Sequence, residues 1–562
     1  SGVLNPDEPP YACPARSLTP SDKPVLPCPP TVENLPILKS YILQRYASSA
    51  FNTCERRPLP LMEGSPPMRL FVDPAAPPIA FNRPAMVPLH WKEAVKGGLD
   101  RDVRLGVLEK IGVNDPVEWC SRMVVTPKPN SQEPRRCVDF GPLNLNAPHQ
   151  THHTQSPWSL VSSIPPNKVK SCLDCWHGYH SIEIEEADRH LTTFVNEWGQ
   201  YRYRTMPQGF ILAGDGYTQR SDIITAEVPR LKKCIDDSLL YDTDIESNFF
   251  RVCDYLELCS KHGMIFNPKK FQFASEAVQY LGFQVTKDGI QPTAEFLDTI
   301  RSFPSPRNIT DIRSWFGCIA QISYAFSTSP VMEPFRHLLS SKEPYQWTTE
   351  LEEAFQASKE EIVRQCWNGV KSFDPALPTA VATDWCKLGK GFWLTQKKCD
   401  CPGAVMPGCC ADGWATVFCG SRFCTLAESR YPPIEGEGAA ITWALDKCKN
   451  YLLGMRNFIL AVDHNPLVSI FGKQGVMDIP NPRLTSQKVK TMMFSFTPLH
   501  IPGKKNVVAD CFSRRSDSPI PPSTPKSQDF LDVSNIMPGY ADHLGPPSWV
   551  SCTGSKGPPP PI

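Results

Sequence analysis

The run Lys233-Cys234-Ile235-Asp236-Asp237-Ser238-Leu239-Leu240-Tyr241 constrains this chain more than any other. Apolar residues on both sides of the two acids predict a short strand, a tight turn and a second strand. Two adjacent acids inside an apolar hairpin are costly unless a cation neutralises them. Asp is also an ordinary turn residue, so the pair alone does not separate a metal site from a polar turn.

The surrounding chain reads as two folded parts between proline-rich ends. There are 59 prolines in 562 residues, about twice the average usage, and they concentrate at the ends and in short joints. Helices are expected at 35–50 and 89–110. Strands around a Pro/Asn/Ser/Gln turn follow at 117–145, a buried strand opens 168–184, and a hairpin lies at 190–206. A helix at about 217–227, the acid hairpin, a helix at 246–262 and a hairpin at 278–291 turned at Asp288-Gly289 come next. Helices broken by Pro304 and Pro306 fill 292–345, and another spans 348–366. Strands at 379–396, 414–423, 457–462 and 494–501, with helices at 434–453, 482–493 and 506–514, read as a second compact fold of mixed α and β. The segment after Arg515 is expected to be disordered.

Lys+Arg and Asp+Glu both number 58, so any nucleic-acid contact must come from local basic clusters rather than net charge. Nothing resembles a signal peptide, and no apolar run reaches the roughly 18 residues of a membrane span. The 22 cysteines are therefore expected mostly as reduced, small core residues of an intracellular chain. A start at Ser1 suggests a piece of a longer polyprotein.

A third acid, Asp174, ends the apolar strand Lys170-Ser171-Cys172-Leu173. Acids brought together from separate strands suit nucleotidyl transfer, in which two Mg²⁺ ions about 3.5–4 Å apart stabilise the attacking and leaving oxygens. Mg²⁺ takes oxygen ligands, usually one or two carboxylates plus substrate phosphates.

Five motifs carry a resemblance. LDCWHGYHSI has an Asp followed five positions later by a Tyr; MPQGF (206–210) holds a Pro-Gln-Gly; CIDD follows; YLGF (280–283) lies in a hairpin; and RRCVDFGPLN (135–144) precedes the first Asp. In this order they resemble the motifs of reverse transcriptases, most closely those of gypsy-type LTR retrotransposons, over about residues 40–515. The resemblance implies an α+β multidomain fold: a right-hand fingers–palm–thumb polymerase, a connection region and an α/β ribonuclease H-like domain. The domains are expected as a proline-rich arm with a short helix (1–60), fingers and palm (61–291), thumb and connection helices (292–370), ribonuclease H (371–515) and a proline-rich tail (516–562). It further implies that Asp174, Asp236 and Asp237 hold Mg²⁺, with Mn²⁺ as a substitute. Lys128 and Arg135 would reach the triphosphate, where Arg can grip two oxygens at once. Tyr179 would exclude a 2′-hydroxyl, and Gln208 and Gly209 would line the nucleotide pocket. Arg136 and Lys233 are weaker candidates. Cys234 stands where most relatives have Tyr, which alters detail near the primer end but removes no metal ligand.

A second constellation has the same character. Asp384 ends the strand in PTAVATDW, Glu437 opens the helix in IEGEGAAITWALDK, Asp463 ends the strand in LAVDHNPL, and Asp510 lies in VVADCFSRR. They resemble the Asp-Glu-Asp-Asp set of ribonuclease H, again implying two Mg²⁺. Glu435 competes with Glu437, and Glu437 is preferred because the apolar run starts directly after it. Lys504 stands where many retroviral ribonucleases H carry a His in the loop before the last Asp, which would slow turnover; neither His500 nor His464 is assigned a role.

Cys399, Cys401, Cys409 and Cys410 lie in KKCDCPGAVMPGCCADG. Four thiols so close could close a tetrahedral structural Zn²⁺ site, with Zn–S near 2.3 Å, or remain free thiols or disulfides. The implied partners are an RNA template, a DNA primer, an RNA–DNA hybrid gripped at its phosphates, deoxynucleoside triphosphates and a second copy in a homodimer, with no membrane. Lys269, Lys270, Lys504, Lys505, Arg514 and Arg515 are the candidate phosphate contacts. The implied location is a cytoplasmic virus-like particle. The alternative is a decayed or host-adopted scaffold that binds nucleic acid without chemistry. It is disfavoured because all seven expected carboxylates are present.

Overall fold

The computed structural model describes residues 15–16, 20, 22–64, 66–112, 115–128, 133–149, 152–326, 331–339, 345–401, 407, 409–410 and 413–502. These fall into two compact units, one built from residues up to 156 together with 168–281, the other from 157–167 and from 282 onward.

In the first unit, α1 (Leu35–Arg45) is no part of a loose arm. Leu38 and Ile42, one helical turn apart, and Tyr46 just beyond are fully buried with Phe249, Leu256 and Phe271. The Tyr46 hydroxyl donates to Glu257 at 2.8 Å. Helix α2 (Lys92–Arg104) is shorter than expected. A 3-10 turn (Leu89–Trp91) precedes it, and Gly106, at φ 75°, ends it in the left-handed conformation typical after a helix C-terminus.

The strands of this unit are β1 (Leu108–Lys110), β2 (Ser121–Pro127), β3 (Pro134–Asp139), β4 (Val169–Asp174), β5 (Phe194–Asn196), β6 (Gly199–Tyr203), β7 (Leu231–Cys234), β8 (Asp237–Asp242), β9 (Gln272–Ser275) and β10 (Val278–Tyr280). One sheet has the order β1-β6-β5-β2-β3 and the other β7-β8-β4-β9. Helix α3 (Ala213–Thr225) precedes β7. Helix α4 (Ile245–Lys261) packs on β8, β4 and β9. Its N-cap is Asp244, whose side chain accepts from the Ser247 N–H at 2.7 Å. The hairpin expected at 278–291 is interrupted: Leu281 and Gly282 have φ of 52° and 82°, and the boundary between the units falls between them.

The second unit begins with β11 (Phe283–Val285) and β12 (Gly289–Pro292), which pair across the expected Asp288-Gly289 turn. Helices α5 (Ala294–Ser302), α6 (Ile309–Ala320) and α7 (Thr349–Cys366) follow, and Pro304 and Pro306 separate the first two, as the sequence predicts. The short β13 (Val370–Lys371) pairs with β12. A mixed sheet then combines β14 (Thr379–Trp385), β15 (Gly389–Lys397), β16 (Trp414–Phe423), β17 (Phe458–Val462) and β18 (Phe496–His500) in the order β16-β15-β14-β17-β18. β14 is buried at every position, as befits a central strand. Against it lies α8 (Pro433–Lys447), followed by α9 (Asn465–Phe471) and α10 (Pro482–Thr491). Val381, Leu394, Ile441, Leu445 and Leu460 form the centre of this core. The helix expected at 506–514 and the proline-rich tail lie outside the described residues. Among the described cysteines, Cys54 is disulfide-bonded and the others are free.

Candidate active sites

The first site is built by strand register. Asp174, the last residue of β4, lies directly opposite Asp237, the first residue of β8. Cys234 also pairs with Asp237, which leaves Ile235 and Asp236 as a two-residue turn. Ile235 has φ 55°, a left-handed conformation that costs a β-branched residue on the order of 1–3 kcal/mol. Neighbouring main chain holds the turn in place: the Asp236 carbonyl accepts from the Cys175 N–H, and the Asp174 carbonyl from the Asn267 N–H, each at 2.9 Å.

Like charges directly opposite on adjacent strands repel. Lys270 answers part of that charge, with Nζ 2.7 Å from Asp174 Oδ2. Burial, with the Asp236 and Asp174 charges, pushes the Asp237 carboxyl up to about 7. Burial also raises Asp236; a backbone hydrogen bond partly offsets this, and the Asp174 charge adds to it. Carboxyls that hold protons this firmly are short of positive charge, and their oxygens suit a hard divalent cation. The three acids do not form a tight ligand cluster like the two found elsewhere among the described residues.

Tyr179 sits in the 3-10 turn Gly178–Ser181, with its ring 5.6 Å from that of Tyr217. Burial and the Asp236 charge push its hydroxyl up to about 12. A side chain at Gly178 would meet the Tyr217 ring at 2.9 Å, so glycine permits this turn to pack. Gln208 is exposed and Gly209 has φ 91°. Asn144, to which the motifs assign no role, clamps this loop. Its Nδ2 donates to the Gly209 carbonyl and its Oδ1 accepts from the Ile211 N–H, both at 2.9 Å. Its one visible signal was a lone Asn closing the RRCVDFGPLN motif.

Lys128 and Arg135 are both exposed near the end of the β2–β3 hairpin. Lys128 Nζ lies 2.7 Å from Glu133, and both side chains are exposed, so the pair is worth little and opens readily. The weaker candidates are engaged in the fold. Arg136 binds Asp102 in a largely buried pair. Lys233 lies 2.7 Å from both Asp222 and the Ser221 Oγ of α3.

The second site is more convergent. Oxygens of Asp384, Glu437 and Asp463 lie within 4.8 Å of one another. Asp384 comes from β14, and Asp463 follows the parallel neighbour β17. Glu437 comes from α8 and accepts from the Trp385 N–H at 3.3 Å. Glycines on either side of Glu437 let α8 come this close: a Cβ at Gly436 would meet the Trp385 ring at 2.3 Å, and one at Gly438 would meet Gln487 at 2.2 Å. Glu435 faces elsewhere, held by Asn481 at 2.7 Å and by Arg483. Among the described residues, Asp463 Oδ1 is buried without a hydrogen-bond partner, a costly arrangement for an acid that a bound cation would relieve. His500 Nε2 lies 3.1 Å from the Asp463 carbonyl oxygen. Asp510, Lys504, Lys505, Arg514 and Arg515 lie outside the described residues. The four cysteines also converge, with sulfurs within 4.8 Å of one another.

No described helix is long and apolar enough to cross a membrane. Two family descriptions match the chain: "Reverse transcriptase (RNA-dependent DNA polymerase)" over residues 115–285 and "RNase H-like domain found in reverse transcriptase" over residues 374–493. Among similar curated proteins, the Retrovirus-related Pol polyprotein from transposon 412 of Drosophila melanogaster is 25% identical over 416 residues, covering 73% of this chain and 32% of that protein. The corresponding protein of transposon opus, also from Drosophila melanogaster, is 26% identical over 459 residues, 80% of this chain and 44% of that protein. The Transposon Tf2-7 polyprotein of Schizosaccharomyces pombe is 23% identical, covering 82% of this chain and 33% of that protein. The chain thus spans less than half the length of these relatives. Among solved structures, foamy viral protease-reverse transcriptase in complex with RNA/DNA hybrid matches with a TM-score of 0.69 at 18% identity, covering 91% of this chain and 67% of that chain. The same protein in complex with dsDNA matches with a TM-score of 0.70 at 18% identity, covering 86% of this chain and 99% of that chain. This likeness establishes the multidomain fold of a reverse transcriptase. With a polymerase domain around Asp174, Asp236 and Asp237 and a ribonuclease H-like domain around Asp384, Glu437 and Asp463, the chain belongs to the reverse transcriptases of Pol polyproteins from gypsy-like LTR retrotransposons.

Proposed function

We propose that this chain copies RNA and DNA templates into DNA and degrades the RNA strand of RNA–DNA hybrids, in the service of retrotransposon replication. The observation that carries the reading is Asp174 standing directly opposite Asp237 beside Asp236, a charge excess that a divalent cation would resolve. Asp174, Asp236 and Asp237 are the residues that would hold Mg²⁺, or Mn²⁺ in its place. Asp384, Glu437 and Asp463, joined by Asp510, would hold Mg²⁺ in the second site. When bound, such ions stabilise charge on the attacking and leaving oxygens of phosphoryl transfer.

The remaining roles belong to the chain's own groups. Lys128 and Arg135, exposed near the hairpin end, grip the triphosphate of an incoming deoxynucleotide. Tyr179, raised to about 12 and so protonated at neutral pH, offers an uncharged ring edge that blocks a 2′-hydroxyl. Gln208 and Gly209 line the nucleotide pocket, in a loop that Asn144 fixes. Template, primer and hybrid are held through their backbones. Assembly as a homodimer within a cytoplasmic virus-like particle completes the reading.

The test is primer extension on an RNA template with Mg²⁺, run beside cleavage of a labelled RNA–DNA hybrid. Wild type performs both, Asp236→Asn loses extension alone, and Glu437→Gln loses cleavage alone. Extension that persists in Asp236→Asn counts against the first site. Hybrid binding with neither reaction would establish a scaffold instead.

A further inference from the structure

The chain holds a third set of ligand-type side chains that neither proposed reaction uses. β15 and β16 are paired out to Lys397 and Trp414, and residues 398–413 connect them. Cys399 and Cys401 lie on the first arm, and Cys409 and Cys410 on the second. Their four sulfurs lie within 4.8 Å of one another.

Two features set these thiols apart from the chain's buried cysteines. Cys172, Cys175, Cys253, Cys259, Cys419 and Cys448 are buried and behave as small core residues. The four of the loop are intermediate or exposed, so burial of apolar surface does not account for their meeting. They are also not bonded to each other. Cys399 Sγ and Cys409 Sγ are 3.3 Å apart, beyond the roughly 2.05 Å of a disulfide. A tetrahedron with Zn–S near 2.3 Å has S···S edges of about 3.8 Å, within the observed spread.

The backbone is arranged to let the thiols converge. A Cβ at Gly413 would lie 2.4 Å from Cys410 Sγ and 2.7 Å from Cys399 Sγ. The Gly413 carbonyl accepts from the N–H groups of Lys398 at 2.8 Å and Cys399 at 3.3 Å, locking the second arm against the first. Lys397 Nζ donates to the Cys401 carbonyl at 3.0 Å, which places positive charge beside a cluster that would carry thiolate charge when metallated.

We propose that Cys399, Cys401, Cys409 and Cys410 bind one Zn²⁺ as a tetrathiolate that closes the extension of the β15–β16 hairpin. Zn²⁺ is favoured over Mg²⁺ and Ca²⁺ because the donors are all sulfur. All four positions are filled by protein, which makes the site structural rather than catalytic. The site is independent of both acid clusters and stands or falls without them.

The full chain, purified under reducing conditions, is assayed for metal by mass spectrometry after exhaustive dialysis. About one equivalent of zinc is expected, and Co²⁺ put in its place should give the intense thiolate-to-metal charge-transfer absorption of a four-sulfur site. Carboxylate-bound Co²⁺ gives no such band, so the acid sites cannot imitate the result. Cys399→Ser with Cys409→Ser is expected to lose the zinc while far-UV circular dichroism stays unchanged. Zinc content below about 0.1 equivalent in the reduced, folded wild type overturns the proposal, as does zinc retained in the double variant. If the variant fails to fold, the Co²⁺ spectrum of the wild type decides alone, and absence of the charge-transfer band is fatal.

Discussion

The two acid sites meet the same electrostatic problem with different supports. In the polymerase unit the acids sit on a hairpin turn and at a strand end. Ile235 is held at φ 55°, and Lys270, 60% exposed, is at hand as a partial counter-charge. In the ribonuclease H unit the acids come from two neighbouring buried strands and one helix, within 4.8 Å of one another, and packing against Trp385 fixes their spacing. On the proposed reading, the first site would exchange the Lys270 contact for a metal. The second is pre-formed, and its cost appears as the partnerless Asp463 Oδ1.

The comparison breaks most sharply if the two sites are not independent. Asp236→Asn is expected to lower primer extension by about 100- to 1,000-fold and leave hybrid cleavage intact. Equal losses in both assays would mean a shared failure of folding rather than a local charge effect.

The next largest effect is on acid stability. Burial, then neighbouring His180, lowers His177 to about 4, and this residue precedes the turn that carries Tyr179. A histidine depressed in the folded state contributes stability that is fully present above its ordinary pKa near 6.5. That stability is lost as pH falls through the folded value near 4. Over that window the first unit should lose on the order of 3 kcal/mol. His177→Asn, which tolerates the left-handed backbone at this position, should flatten the loss in thermal melts followed at several pH values. An identical pH slope in wild type and variant would remove His177 as the cause.

Packing at the second site gives a smaller change. Gly436→Ala drives a methyl into the Trp385 ring and should cost the second unit about 1–3 kcal/mol. Because Trp385 adjoins Asp384, cleavage should fall with it while extension holds. A variant with unchanged cleavage and stability would show that α8 can simply shift. Lys270→Met should matter least to stability. Its ion pair with Asp174 is exposed, and such pairs contribute under about 1 kcal/mol, so chemical denaturation midpoints should barely move.

Much of this was legible in the chain. Asp174, Asp236, Asp384, Glu437 and Asp463 each end or open an apolar run, and that local pattern predicts where a polar side chain leaves a core. The preference for Glu437 over Glu435 rested on the apolar run beside it, and Glu437 is the one beside Asp384, while Glu435 binds Asn481 and Arg483. Other features were not legible. The helix expected at 89–110 stops at Arg104 because Gly106 turns the chain, and β1 forms only because β6 lies beside it. Arg136 and Lys233 have no partner at local helical or strand spacing, because Asp102 and Asp222 reach them only through the tertiary fold. Asn144 and Gly209 are likewise separated by a stretch of chain that no local period spans.

By itself, then, the sequence determined the order of the motifs, the residue types at both acid sites and the thiols of the loop, because short-range periodicity and turn chemistry act between near neighbours. The tertiary structure alone decided that Asp174 faces Asp237 across a strand pair, that Lys270 meets Asp174, that α1 is core rather than arm, and that three carboxylates of the second unit converge. Those outcomes depend on sheet register and on which surfaces pack together, and both are settled by contacts between residues far apart in the chain.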